Sequence, residues 1–144
     1  MPGESLSLEV RNAHEAIAPA SKRAERWLED KGVPPRAVYL VLLALEELVT
    51  NCIKFAYDDA AEHTIFVELS IEPSANGQVL RMTAIDDGRP FDPLQAPAPD
   101  LASRAEDRPV GGLGLFLLRQ MADDIAYERR GGTNRTTLTK RMES

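Results

Sequence analysis

The chain has 144 residues, 43% of them hydrophobic, and a formal net charge of −6. That length suits one compact domain with one core, residues 1–144, and the composition is globular rather than disordered. The acidic balance argues against non-specific nucleic-acid binding, no run approaches the ~18 apolar residues of a membrane span, and "MPGESLSLEV" lacks the basic-then-apolar pattern of a secretory leader.

In chain order, "LSLEVRN" alternates and predicts a first strand. From Glu15 to Lys31, apolar residues recur at three and four spacing (Ala16, Ile17, Ala20, Ala24, Trp27, Leu28), which predicts a helix. Gly32 and Pro34-Pro35 stop it. A second helix is expected from about Arg36 to Tyr57, with a core stripe of Leu42, Leu45, Val49, Cys52 and Ile53. "TIFVELSIE" and "VLRMTAID", joined by the turn signal "SANG", read as an antiparallel hairpin. A long segment rich in Pro, Gly, Asp and Ala follows, and a loop of that kind in a small domain is usually functional. "LGLFLLRQMAD" is a short apolar helix, and "DIAYERR", "GGTN" and "RTTLTKRM" form a second hairpin. The elements are segregated, so the expected fold is α+β: a two-layer sandwich with helices on one face of a mostly antiparallel sheet.

Three stretches carry candidate chemistry. In "LALEELVTNCIKFAY", Glu47 and Asn51 lie one helical turn apart, and a carboxylate beside a carboxamide suits a hard cation or an activated water. In "AIDDGRPFD", Asp86 ends an apolar strand, where it can accept a hydrogen bond from a ligand amine, and Gly88 allows close approach to a flat ring. In "VGGLGLFLLRQ", Gly111, Gly112 and Gly114 open a helix, and unblocked N–H groups with the helix dipole favour an anion there. Each has a plainer reading alone: a solvated helix face, a strand exit, a helix cap. Arg104 and Arg108 lie in the long loop and could clamp a phosphate. His14 and His63 lack ligand-spaced partners, so zinc is not expected. Cys52 sits on the core stripe and reads as a packed thiol. As the single cysteine, it excludes an internal disulfide and fits a reducing cytoplasm. Arg23, Arg26 and Trp27 read as a solvated helix side with Trp27 in the core, a docking face being the alternative.

The order and spacing of these stretches resemble the Bergerat ATP-binding fold of gyrase, histidine kinases and mismatch-repair ATPases. "EELVTNCIKFAY", "DDGRPFDP" and "GGLGLFLLRQMADDIAYER…TNRTTLTKR" are more specifically similar to the anti-sigma-factor serine kinases, over roughly Leu6 to Arg141. The resemblance implies ATP and Mg²⁺ as ligands. Glu47 would be the catalytic base, Asn51 the Mg²⁺ ligand and Asp86 with Gly88 the adenine site. Gly111, Gly112, Gly114 and Arg108 would hold phosphate. A threonine near the last hairpin lines the adenine pocket in many relatives. Thr133, Asn134 and Thr136 are the candidates here, with Thr133 the first assignment. The implied activity is phosphorylation of a serine on a STAS-domain antagonist, coupled to sequestration of a sigma factor or other regulator. A homodimer without direct nucleic-acid or membrane contact is expected. One departure is Pro90, where relatives usually carry a second glycine. It motivates the alternative of a non-catalytic ATP-binding regulatory module. A histidine-directed kinase would need a phosphoacceptor hairpin that the sequence does not supply.

Overall fold

In the computed structural model, residues 3–95 and 112–143 are described. Strand β1 (Glu4–Arg11) leads through a 3₁₀ turn (His14–Ala16) into helix α1 (Ile17–Asp30). Helix α2 (Pro35–Asn51) continues into one π-helical turn (Cys52–Ala56). Strands β2 (Thr64–Ser74) and β3 (Gly77–Asp86) follow, then a 3₁₀ turn (Pro93–Gln95). Helix α3 (Gly112–Met121) and strands β4 (Asp124–Arg130) and β5 (Thr133–Glu143) complete the described elements.

All strand pairs are antiparallel, in the order β1-β2-β3-β5-β4. Side chains alternate across a strand, and the apolar set Leu8, Val10, Ile65, Val67, Leu69, Ile71, Leu80, Met82 and Leu138 is buried. These residues and the inward stripes of the helices form one core, to which α2 contributes Leu40, Val41, Ala44, Leu45, Leu48 and Val49. The expected α+β sandwich is therefore the observed one.

The punctuation follows local chemistry. Helix α1 ends in a Schellman motif: Gly32 (φ +75°) donates its N–H to Glu29, and Val33 donates to Leu28, whose side chain is buried with it. Pro35 opens α2, at the first turn, where a missing N–H costs nothing. The β4–β5 turn uses Gly131 (φ +55°) and Gly132 (φ +80°), as a tight hairpin requires.

Two boundaries differ from expectation. The α-helical part of the second helix stops at Asn51 and widens into the π turn, a feature common at functional sites. The start of the expected structureless loop is organised: Asp92 Oδ1 accepts the Leu94 N–H at 2.8 Å and begins the short 3₁₀ turn.

Candidate functional site

The inner face of the sheet changes character at one end. Leu80, Met82, Ala84 and Asp86 share one face of β3, so the apolar series ends in a carboxylate 7% exposed. Its cross-strand partner on β5 is Asn134, 3% exposed, and Thr136 lies opposite Ala84. A slot opens where small and polar residues replace large apolar ones. It is lined by Leu48, Asn51, Cys52 and Ala56 from α2 and the π turn, by Ala84, Asp86 and Thr136 from the sheet, and by Phe91 and Pro93 from the following segment. The free space is about 20 Å³, room for one water. A purine ring needs more room than the slot offers as it stands. Phe91 stacks on Phe55, centroids 5.1 Å apart.

Asp86 is held from three sides. Its Oδ1 accepts the Gly88 N–H at 2.9 Å and the Asn134 Nδ2–H at 2.9 Å, and its Oδ2 accepts the Cys52 thiol at 3.3 Å. Burial, and then the neighbouring carboxylate, push the Cys52 thiol well above its ordinary range. Cys52 is thus buried as expected, but it also lines the slot and touches the carboxylate.

Asn51 is 6% exposed and lines the same slot. Its Nδ2 is buried without a hydrogen-bond partner among the described residues, which is costly unless a ligand or ion completes it. The two ends of a carboxamide are related by a half-turn about the last side-chain bond. The residue can therefore offer an oxygen to a hard cation or an N–H to an anion, which fits the Mg²⁺ and phosphate of a nucleotide. Among the described residues there is no preformed cluster of three or more His, Cys, Asp or Glu for a metal.

Glu47, one turn before Asn51, is half-buried. Burial raises its pKa first, the adjacent Glu46 raises it further and Lys54 opposes both. A Cβ at Gly114 would overlap the Glu47 carboxyl group. The first turn of α3 thus lies directly on Glu47, and a side chain at 114 would displace that carboxyl group. The spacing of the glycines gives no sign of that packing.

Gly88 also has a packing reason. A Cβ there would strike the backbone carbonyl and side chain of Ala56, so Gly88 is needed for the close approach of this segment to the π turn. Arg89 reinforces the contact, its N–H donating to Ala56 O at 2.8 Å and its Nε to Phe55 O at 2.6 Å. Tyr57 donates to Asp87 at 2.9 Å and stacks on His63 at 4.0 Å.

Thr133 is not at the slot. Its hydroxyl donates to Arg130 O at 2.7 Å within the β4–β5 turn, and Thr136 is the threonine of this hairpin that lines the slot. Arg104, Arg108 and Gly111 lie outside the described residues. Gly112 begins α3. Of the candidates within the described residues, Asn51 and Asp86 meet directly at the slot, with Gly88 beside them, and Glu47 stands against α3. Cys52 and Phe91 line the slot without a sequence signal for it, whereas Thr136 is one of the three residues that the last hairpin offered.

Residues 10–140 match the histidine-kinase-like ATPase domain family. The serine/threonine-protein kinase BtrW of Bordetella bronchiseptica is 31% identical over 117 residues, covering 78% of this chain and 80% of BtrW. The structure superposes on the RsbU and RsbW domains of Rv1364c from Mycobacterium tuberculosis with a TM-score of 0.64 at 18% identity, over 96% of this chain and 32% of that one. This chain thus spans about a third of the mycobacterial chain's length. The histidine kinase domain of the Erythrobacter litoralis EL346 blue-light activated histidine kinase gives a TM-score of 0.50 at 18% identity, over 88% of this chain and 59% of that one. At such identities the two structures speak for the fold alone. Motifs, architecture and sequence similarity agree: the chain belongs to the histidine-kinase-like ATPase domain family, in the serine-kinase branch that its motifs resemble.

Proposed function

We propose that the protein is an ATP-dependent protein-serine kinase that phosphorylates a STAS-type antagonist and sequesters a sigma factor or comparable regulator. The observation that carries this reading is the pairing of Glu47 and Asn51 one turn apart on α2, with the buried Asn51 carboxamide, its Nδ2 unpartnered among the described residues, in the slot that Asp86 also lines. The 31% identity to a serine/threonine-protein kinase supports the reaction class. Asp86 Oδ2 accepts the adenine amino group, and Thr136 and Phe91 contact the ring. Asn51, with Gly111, Gly112 and Arg108, holds the triphosphate end. Bound to the Asn51 carboxamide oxygen, Mg²⁺ would supply charge neutralisation of the phosphates. Glu47 accepts the hydroxyl proton of the antagonist's serine as that oxygen bonds to the γ-phosphorus. The bond from that phosphorus to the bridging oxygen breaks, and ADP leaves with the electron pair. Positioning and electrostatics supply the acceleration that phosphoryl transfer requires.

The protein is proposed to act in the cytoplasm. No helix among the described residues is long and apolar enough to cross a membrane. A homodimer is proposed through the sheet face away from the helices, where Phe66 is 45% exposed.

The test is phosphotransfer from labelled ATP to a STAS-domain antagonist taken from the neighbouring genes. A well-placed base is worth roughly 10²–10⁴-fold, so Glu47→Gln should slow transfer by that order while ATP still binds. Unchanged transfer in that variant would remove Glu47 as base. The narrow slot closed by Phe91 and Pro93 favours a second reading, a regulatory module that binds nucleotide without transferring it. Nucleotide binding without phosphoserine in any candidate partner would select that reading.

A further inference from the structure

We propose that Asn134 is the positioning residue of the base slot: its carboxamide presents Asp86 to the ligand and spans Pro90 to hold Phe91 at the slot wall. This rests on the nucleotide-binding reading above.

Asn134 Nδ2 donates to Asp86 Oδ1 at 2.9 Å and to Arg89 O at 2.8 Å. Oδ1 accepts the Phe91 N–H at 3.3 Å, Arg129 Nη1 at 3.2 Å and the Tyr127 hydroxyl at 2.5 Å. Donors converge on one end and acceptors on the other, so the amide has a single orientation that satisfies its surroundings. A flipped amide would set its oxygen against a carboxylate and a carbonyl.

Two consequences follow. Asp86 Oδ1 already takes two N–H donors, from Gly88 and Asn134, whereas Oδ2 takes only the weak S–H donor of Cys52. Oδ2 therefore keeps capacity for a strong donor. Asp86 and Cys52 both line the slot, so this is the oxygen left for a ligand there. Asn134 thus determines which carboxylate oxygen is spent internally and which one reads an exocyclic amino group.

The second consequence concerns Pro90, which has no N–H and a fixed φ. Asn134 bonds the carbonyl before it, on Arg89, and the N–H after it, on Phe91. One side chain therefore gives the segment both partners that a neighbouring strand would give. Arg129 ties the same segment from β4 by donating to Gly88 O at 2.7 Å. The proline then serves as a fixed bend that carries Phe91 and Pro93 to the slot.

The experiment measures dissociation constants for ATP and for inosine triphosphate, which carries a 6-oxo in place of the 6-amino group. It uses the wild type, Asn134→Leu and Asn134→Asp from pH 8.5 to pH 5.5, with circular dichroism as the fold control. The wild type should prefer ATP by a ratio that is flat over this range. Asn134→Leu keeps the branched shape and removes every hydrogen bond of the side chain. Its ATP preference should fall about tenfold or more, as expected for a carboxylate and backbone groups left without partners. Asn134→Asp keeps the shape and the acceptor but sets two carboxylates face to face, which raises their hold on a shared proton. Its preference should be lost at high pH and return as pH falls, when that proton replaces the amide N–H between residues 134 and 86. This rescue by acid also decides the matter should the leucine variant fail to fold, since loss of packing alone would not generate it. A folded Asn134→Leu with the wild-type ratio, or an Asn134→Asp without pH dependence, overturns the proposal. Wild-type protein that binds neither nucleotide overturns the nucleotide reading, and the proposal with it. Wild-type binding with insensitive variants sinks the proposal alone.

Discussion

At the scale of single residues, the site works by giving chemically similar groups different surroundings. Glu46 and Glu47 are adjacent, yet Glu46 is exposed and Glu47 lies half-buried against the first turn of α3. Burial is the main reason the Glu47 pKa rises, Glu46 adds to it and Lys54 subtracts. In the role of base proposed for it, Glu47 acts when ionised, so the rate should fall as pH drops through its raised pKa, and the acid limb should lie above the ordinary carboxylate value of 4.5. Glu46→Gln removes a like charge and should move that limb to lower pH, whereas Lys54→Gln removes an attraction and should move it higher. Pre-steady-state phosphotransfer between pH 5 and 8 measures both, and displacement in the same direction would show that the limb belongs to another group. Residue 47 was readable in the sequence because a turn of helix fixes its distance from Asn51. Its contact with Gly114 was not, because it joins two helices 67 positions apart and leaves no periodic trace. Cys52 illustrates the same limit. Its spacing places it on the buried stripe, and spacing cannot say that the neighbour at the stripe's end is Asp86.

At the scale of elements, the decisive junction is between the π turn after α2 and the segment after β3. The turn leaves the carbonyls of Phe55 and Ala56 available to Arg89, and Gly88 lets the two backbones meet. Gly88 does not have a positive φ, so its substitution is a steric matter rather than a conformational one. Gly88→Ala would drive a methyl into Ala56 O, which cannot turn away while it accepts the Arg89 N–H. Overpacking of this kind costs about 1–3 kcal/mol. At roughly 2–4 °C per kcal/mol for a chain of this size, the melting temperature should drop by about 2–12 °C. Scanning calorimetry checks this, and an unchanged melting temperature would mean that the junction yields freely. The strands and their turns were legible because alternation and glycine chemistry are local, as in Ile65 to Ile71 and Gly131-Gly132. The π turn was not, since five residues are too few to separate its period from that of an α-helix. Thr133 was chosen over Thr136 for want of register. Once β5 is aligned on β3, Thr136 falls opposite Ala84 at the slot, while Thr133 lies in the turn.

At the scale of the whole molecule, the slot is cut into the only core the described residues form, so its titrations act on global stability. Cys52 and Tyr57 both lie on the wall joining α2 to β3, and both hold their protons more tightly in the fold than in a free chain. Burial is the first cause for each, followed for Cys52 by the charge of Asp86 and for Tyr57 by its hydrogen bond to Asp87. The sign follows from linkage. Above the ordinary thiol value of 9.0 the unfolded chain releases a proton that the folded chain keeps, so the folded state binds more protons and stability falls as pH rises. The same applies to Tyr57 from its ordinary value of 10.0 upward. The buried Cys52 can contribute a slope of up to about 1.4 kcal/mol per pH unit, and the more exposed Tyr57 less, because solvent screens its partners. Urea unfolding should therefore give a free energy that is level up to about pH 8.5 as far as these two groups are concerned, and then declines in two overlapping stages. Cys52→Ala should be less stable at neutral pH because it loses packing, yet its decline should begin later. Tyr57→Phe should flatten only the upper stage. If both variants follow the parent's slope, the alkaline loss originates elsewhere, and the wall between α2 and β3 is not where the fold senses base.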